Sequence, residues 1–382
     1  MIYLDSHSAT RPCSAAIERM MPYFQEKWGA SFSPHRFGQE LIADCAAAEQ
    51  AIADFFGAKE SDKFVFTSSA AEAVNQVLWS AFLEVSRKEG KTHFIASTLE
   101  DAPTMQMLKR LEELGCSVKI APVTNQGQID VAELAKLINP RTAMISVTAA
   151  QGLTGVVQPV DEIAQLAKQK NVLLHVDAAY SVGKFLLPFS ELDIDYLTFS
   201  GDRIHSVKGS GGLFAKNERP LVPLILGGSE QGGLRGGSLD IPSFMALAAA
   251  IQQASMYIDS IGLEGARLRD LLEAEICRLV PGAKPLFADV LRLPNTSTIV
   301  FPNIHQEALL YYLNRKGVYA SMGGPYAQSL NRLLTAASIP EKEAFSALSF
   351  SLSRMTTEKE IFEAARFIGE TCQRLQLLGE DL

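Results

Sequence analysis

The stretch VLLHVD, residues 172–177, is a short apolar run closed by an acid. Upstream of it, AMISVTA (143–149) leads into VDEIAQLAKQK, CSVKIAPV (116–123) into DVAELAKLI, and HFIAS (93–97) into PTMQMLKRLEEL. FVFTS (64–68) likewise precedes a helical pattern that runs to about Lys88, and YLTFS (196–200) and GGLFA (211–215) read as further strands. Short β-rich runs alternating with amphipathic helices predict an α/β chain. Its central sheet is expected to be mainly parallel and covered on both faces, with functional groups at the carboxyl ends of the strands. After Pro242 the texture changes to a long helical region, FMALAAAIQQASMYIDSIG. A mixed section with one strand-like run, STIVFP (297–302), and a helical tail from Thr357 follow. This divides the chain into a large domain, 13–245, and a smaller α/β lobe made of 1–12 with 246–382.

Composition agrees with a packed enzyme-sized protein. At about 150 residues per domain, 382 residues give two to three domains. With 47% apolar and 20% charged residues the chain is not disordered, collagenous or coiled-coil. The 35 basic and 43 acidic residues leave a formal charge of −8 with no long basic run, which argues against a nucleic-acid or anionic-membrane partner. Cys13, Cys45, Cys116, Cys277 and Cys372 lie far apart with no CxxC pair, so reduced thiols are expected, and neither disulfides nor a metal site. The uncharged stretches 142–160 and 241–258 are interrupted by Gln, Gly and Pro and do not read as membrane spans. MIYLDSHSATRP meets Asp5 before any basic residue and does not read as a signal peptide, so a cytoplasmic location is expected.

Four segments are able to carry chemistry, and each has a plainer reading. Thr67-Ser68-Ser69-Ala70-Ala71-Glu72 lies where a strand turns into a helix, a place where N–H groups and hydroxyls hold phosphate; Ser69-x-x-Glu72 is equally a capping box that needs no ligand. Asp177 ends its strand facing a crevice and is placed either to pair with a protonated pyridine nitrogen or to cap the next turn. Ser200-Gly201-Asp202-Arg203 and Lys208-Gly209-Ser210-Gly211-Gly212 allow close backbone approach or simply make a turn. Leu234-Arg235-Gly236-Gly237-Ser238 suits an anion at a subunit interface, or a flexible crossover.

In order and spacing, these segments resemble the cysteine desulfurase branch of the class V aminotransferases, pyridoxal-phosphate proteins of fold type I. The matching stretches include Tyr3-Leu4-Asp5, Ser33-x-His35-x-x-Gly38, Phe66-Thr67-Ser68, Gly155-Val156-Val157-Gln158, His175-Val176-Asp177-Ala178, Phe199-Ser200-Gly201, Lys208-Gly209, Arg235-x-Gly237-Ser238 and Phe350-Ser351-Leu352-x-Arg354. The resemblance implies a seven-stranded mixed sheet and a homodimer. It puts Asp177 against the pyridine nitrogen, Thr67, Ser68 and Ser200 near the phosphate, and Ser238 at a phosphate in the partner subunit. Iron–sulfur scaffold or sulfur-transfer proteins are the partners the resemblance suggests.

The departures from that pattern are chemical. Arg203 stands at the Schiff-base lysine position, and a guanidinium that keeps its proton cannot form the imine. Asp202 replaces the preceding His, Asp101 the ring-stacking His, and Gly152 the Asn near the ring oxygen, while the phosphate-loop Gly-Ala-Thr reads Ser69-Ala70-Ala71. The sulfur-acceptor loop reads Ala320-Ser321-Met322-Gly323-Gly324-Pro325-Tyr326, with Tyr326 near the place of the missing cysteine, and Ser349 replaces the substrate-carboxylate arginine. Lys208, five residues past Arg203, is no obvious substitute for the lysine. The expected outcome is a protein of this family that does not desulfurate cysteine and acts by binding or interaction. The alternatives are a pyridoxal- or pyridoxamine-phosphate enzyme of altered chemistry, for example one holding pyridoxamine phosphate non-covalently with Asp177 intact or using the pocket for another small anion, or a residual desulfurase in sulfur or iron–sulfur metabolism.

Overall fold

The computed structural model describes residues 1–324 and 329–380. Its strands in chain order are β1 (Ile2–Tyr3), β2 (Lys63–Thr67), β3 (His93–Ser97), β4 (Ser117–Ala121), β5 (Thr142–Thr148), β6 (Leu173–Asp177), β7 (Tyr196–Ser200), β8 (Gly211–Ala215), β9 (Lys284–Pro285), β10 (Thr296–Val300), β11 (Val318–Tyr319) and β12 (Ala347–Ser351). Every residue of β3, β5, β7 and β8 is buried, which explains their continuous apolar and small-residue runs. Seven strands form one sheet in the order β2-β8-β7-β6-β5-β3-β4. All its pairings are parallel except those of β8, which runs antiparallel to both neighbours. The expected mixed, mainly parallel sheet is therefore present.

The parallel connections are helices whose apolar faces pack on the sheet, among them Ala70–Ala81, Ala102–Glu113 and Val160–Lys170. The first of these passes into a π-helical turn, Phe82–Ser86, before ending at Glu89. Beneath the sheet Phe56, Phe199 and Phe214 pack with ring centroids 4.6 to 6.3 Å apart. Each contributes roughly 2 to 3 kcal/mol by burial.

A second core lies around an antiparallel sheet ordered β12-β10-β9 and a short parallel pair, β1 with β11. The helix Ile241–Leu279 serves both cores. Asp240 caps it by accepting from the Ser243 N–H, and Pro242 sits in its first turn. Its residues up to Ala254 pack into the first core and those from Leu268 to Ile276 into the second. The amino-terminal segment crosses between them: Ile2 and Leu4 belong to the second core, while the Thr10 N–H donates to the Asp202 carbonyl at 2.7 Å. Crossing segments of this kind bring side chains from both cores to the carboxyl edge of the large sheet.

Candidate functional site

Parallel register brings the carboxyl ends of β5, β6 and β7 level, with Thr148 opposite Asp177 and Asp177 opposite Thr198. The buried Asp177 Oδ1 accepts from the Ala179 N–H at 3.0 Å and from the Thr198 hydroxyl at 3.3 Å. Burial and the nearby Asp101 push its pKa up to about 7, against those two hydrogen bonds and the charge of Arg203. The capping reading of Asp177 is the one these hydrogen bonds bear out, since it accepts from the Ala179 N–H of the turn after β6. Glu100, fully enclosed beside it, is pushed up to about 8 by burial, with Ser97 donating to it at 2.5 Å. At neutral pH Glu100 is held largely as the acid. His175, below Asp177, has both ring nitrogens on hydroxyls, Ser146 at 2.8 Å and Thr198 at 2.9 Å, and burial lowers its pKa to about 3.

Arg203 lies in the short turn after β7 and points into this group. Its Nη1 donates to the His7 carbonyl at 2.6 Å, its guanidinium carbon stands 4.3 Å from the centre of the Tyr180 ring, and its Nε has no partner among the described residues. Burial alone would lower its pKa; Tyr180, Asp101 and Asp202 reverse that and raise it, so the side chain stays a cation. His7 is lowered to about 3 by burial, Arg203 and Lys184, so its 3.1 Å contact with Asp5 joins a neutral ring to a carboxylate.

Tyr180 had no role in the sequence reading, yet it links the site. Its hydroxyl donates to Asp101 at 2.5 Å, its ring carries the Arg203 guanidinium, and a Cβ at Gly152 would lie only 2.3 Å from its Cε1. Gly152 is thus required by packing: any side chain there would occupy the same volume as the Tyr180 ring. No local signal marks it, since its part depends on Gly152 and Asp101 arriving from distant segments.

The remaining expected residues are engaged elsewhere or stand apart. Thr67 donates to the Ser69 carbonyl at 2.9 Å, and Ser200 donates to Asp202 at 2.5 Å. Ser69 caps its helix by accepting from the Glu72 N–H, but Glu72 returns to the Ser68 N–H at 2.8 Å rather than to that of Ser69, so the box is shifted by one residue. Glu72 also holds Arg235 at 3.0 Å, which ties the glycine-rich loop back to this helix; Ser68 and Ser238 are exposed. Ser349 is fully buried, and its hydroxyl and that of Thr298 both donate to the Leu153 carbonyl, at 2.7 and 2.9 Å. Lys208 is exposed, and Tyr326 lies outside the described residues. All five cysteines are free, and no cluster of metal-ligating side chains occurs among the described residues. No described helix is long and apolar enough to cross a membrane.

The fold and the crevice at the carboxyl ends of β5–β7 define a protein of the class V aminotransferase family, which matches residues 2–363, and the chain belongs to that family. Within it the similarity is to cysteine desulfurases. The chain is 32% identical to a cysteine desulfurase of Nostoc sp. over 382 residues, covering 99% of this chain and 94% of the other. It is 32% identical to the cysteine desulfurase NifS of Azotobacter vinelandii over 368 residues, covering 96% and 91%. Among solved structures a NifS-like protein superimposes with a TM-score of 0.91 at 29% identity, covering 98% of this chain and all of that one. DndA from Streptomyces lividans gives 0.77 at 27% identity, covering 91% and 99%. The fold is that of the type I pyridoxal-phosphate proteins.

Members of this family use pyridoxal phosphate. The residues around Asp177 do not fit that group. The space between Gly152, Asp101 and Arg203 is filled by the Tyr180 ring. Ser200, which would face the phosphate, is bound to the Asp202 carboxylate, and a carboxylate there repels a phosphate dianion. Position 203 offers a guanidinium in place of an amine.

Proposed function

We propose that this chain keeps the cysteine desulfurase architecture without its reaction and acts by binding. One observation carries the reading. Gly152, Asp101 and Arg203, the three positions that the family resemblance assigns to the cofactor's ring oxygen, ring face and covalent anchor, all contact the side chain of Tyr180. On this reading Tyr180 takes the ring's place and Arg203 supplies the buried charge that holds it there. A cation over an aromatic face, with the hydroxyl on a carboxylate, is a self-contained set needing no ligand. Asp177, Thr67, Ser68, Ser200 and Ser238 are then remnants of a cofactor site. The division into 13–245 and 1–12 with 246–382, a homodimer, a cytoplasmic location, and an iron–sulfur scaffold or sulfur-transfer protein as partner belong to the same proposal.

The test is sulfide release from cysteine in the presence of added pyridoxal phosphate. The natural chain and Arg203→Lys alone are both expected to give none, because Tyr180 still fills the space and Ser349 cannot clamp a carboxylate. Robust turnover by either would overturn the proposal. Adding Asp202→His, Tyr326→Cys and Ser349→Arg to Arg203→Lys is expected to remain inactive as well, since an arginine at the fully buried 349 position breaks two hydrogen-bonded strands' contact with Leu153.

A further inference from the structure

A cavity of about 460 Å³ opens between the two cores, walled by the amino-terminal segment, the turn after β6, the turn after β7, the helix Ile241–Leu279 and the segment after β12. Three cationic side chains line it, Lys184, Arg203 and Arg354. None has a carboxylate within ion-pair distance among the described residues. The Lys184 ammonium makes no hydrogen bond there, Arg354 donates to the neutral Gln253 Oε1 at 2.5 Å, and Arg203 leaves its Nε without a partner. The one acid lining the cavity among the described residues, Glu264, is held by the Arg267 Nε and Nη2 at 2.8 Å each. Apolar side chains, among them Ile204, Leu268 and Leu352, also line the cavity.

The backbone is built to bring Lys184 here. Gly183 has φ of +72°, and a Cβ on it would come within 2.8 Å of Ile204, so the turn after β6 packs directly on the turn after β7. Burial and Arg203 lower Lys184 to about 7, and burial lowers Arg354 despite the Cys13 thiol beside it. Both shifts report the same physical condition, positive charge withdrawn from water without a counter-ion.

We propose that this cavity binds a small organic anion, its carboxylate or phosphate head held by Lys184 and Arg354 and its apolar body lying against Ile204, Leu268 and Leu352. A concave, mostly apolar cavity with a few converging charges is the usual form of a small-molecule site, and its volume lies within the usual range of roughly 300 to 1,000 Å³. A bound carboxylate would give Lys184 and Arg354 the charge-assisted partner they lack. The site shares only Arg203 with the Tyr180 cluster and does not depend on whether the desulfurase reaction has been lost; a chain that turned over cysteine would leave it standing.

The probe is 4-fluorophenylacetate added to the full chain, followed by fluorine NMR. Saturable broadening is expected, weakened about tenfold in Lys184→Met and again in Arg354→Gln, the loss of one charge-assisted hydrogen bond each. Inorganic phosphate, which lacks the apolar body, is expected to compete poorly. No binding by the natural chain, binding unchanged in both variants, or phosphate competing as well as phenylacetate would each overturn the proposal. A second measurement needs no variant. Reductive labelling of the natural chain with 4-carboxybenzaldehyde and cyanoborohydride should place an adduct on Lys184 that 4-fluorophenylacetate suppresses; labelling there that the probe leaves untouched would contradict the assignment.

Discussion

Arg203 and Lys184 both enter the interior beside the carboxyl edge of the same sheet, and they meet opposite surroundings. Around Arg203 charge is matched: Tyr180 lies beneath the guanidinium, the His7 carbonyl accepts from it, and Asp101, Asp177 and Asp202 supply negative charge. Around Lys184 there is another cation and, among the described residues, no acid in contact, and the amine is held at about 7 instead of its ordinary 10.5. Matched charge makes a closed piece of structure, whereas unmatched charge beside open volume makes a place for a ligand. The region that family resemblance marks as the active site is thus the more self-sufficient of the two.

The largest effect that would break this comparison lies on the Arg203 side. Arg203→Met removes the cation from a buried cluster and leaves the His7 carbonyl without a donor, and a loss of about 3 kcal/mol in unfolding free energy is expected from urea titration at pH 7. A loss within 0.5 kcal/mol would mean the cluster is not held by charge.

On the Lys184 side the sign is opposite. Because Lys184 is lowered from 10.5 to about 7, the folded chain has released a proton that the unfolded chain keeps between those values. Stability contributed by this residue therefore rises with pH above about 7, by at most about 1.4 kcal/mol per pH unit. Lys184→Met should remove that slope and be the more stable protein at pH 6. Parallel stability–pH curves for the natural chain and the variant between pH 6 and 9 would show that Lys184 is not desolvated. Removing Lys184 also acts on its neighbours, since its charge helps to lower His7 and His205; burial is the larger cause for both and holds them at about 3 and 4, so they stay neutral between pH 6 and 9 and add no slope there.

Sequence patterning made the large sheet readable because β3, β5, β6 and β7 are apolar runs set apart by amphipathic helices. It missed β12, ALSFS at 347–351, since two serines among small residues mask a strand whose every residue is buried. The two-residue strands β1, β9 and β11 are too short to show any period, and the π-turn at Phe82–Ser86 leaves no mark in the hydrophobic pattern. At the site, the strand-end Asp177 and the loss of an amine at 203 were legible. Tyr180 was not, because its part depends on Gly152 and Asp101 reaching it from distant segments. Lys184 gave no signal either, as a lone lysine after a glycine reads as solvated surface until the second core closes over it.

The most direct measurement is an absorption spectrum of the purified chain with added pyridoxal phosphate, followed by borohydride reduction and peptide mass spectrometry. With Tyr180 filling the space at Gly152 and a guanidinium at position 203, no Schiff-base band should form there, and no pyridoxyl group should be found within residues 201–212. A Schiff-base band, with the reduced adduct on Lys208 or elsewhere in that segment, would show that the ring is admitted and that Tyr180 and Arg203 do not close the site.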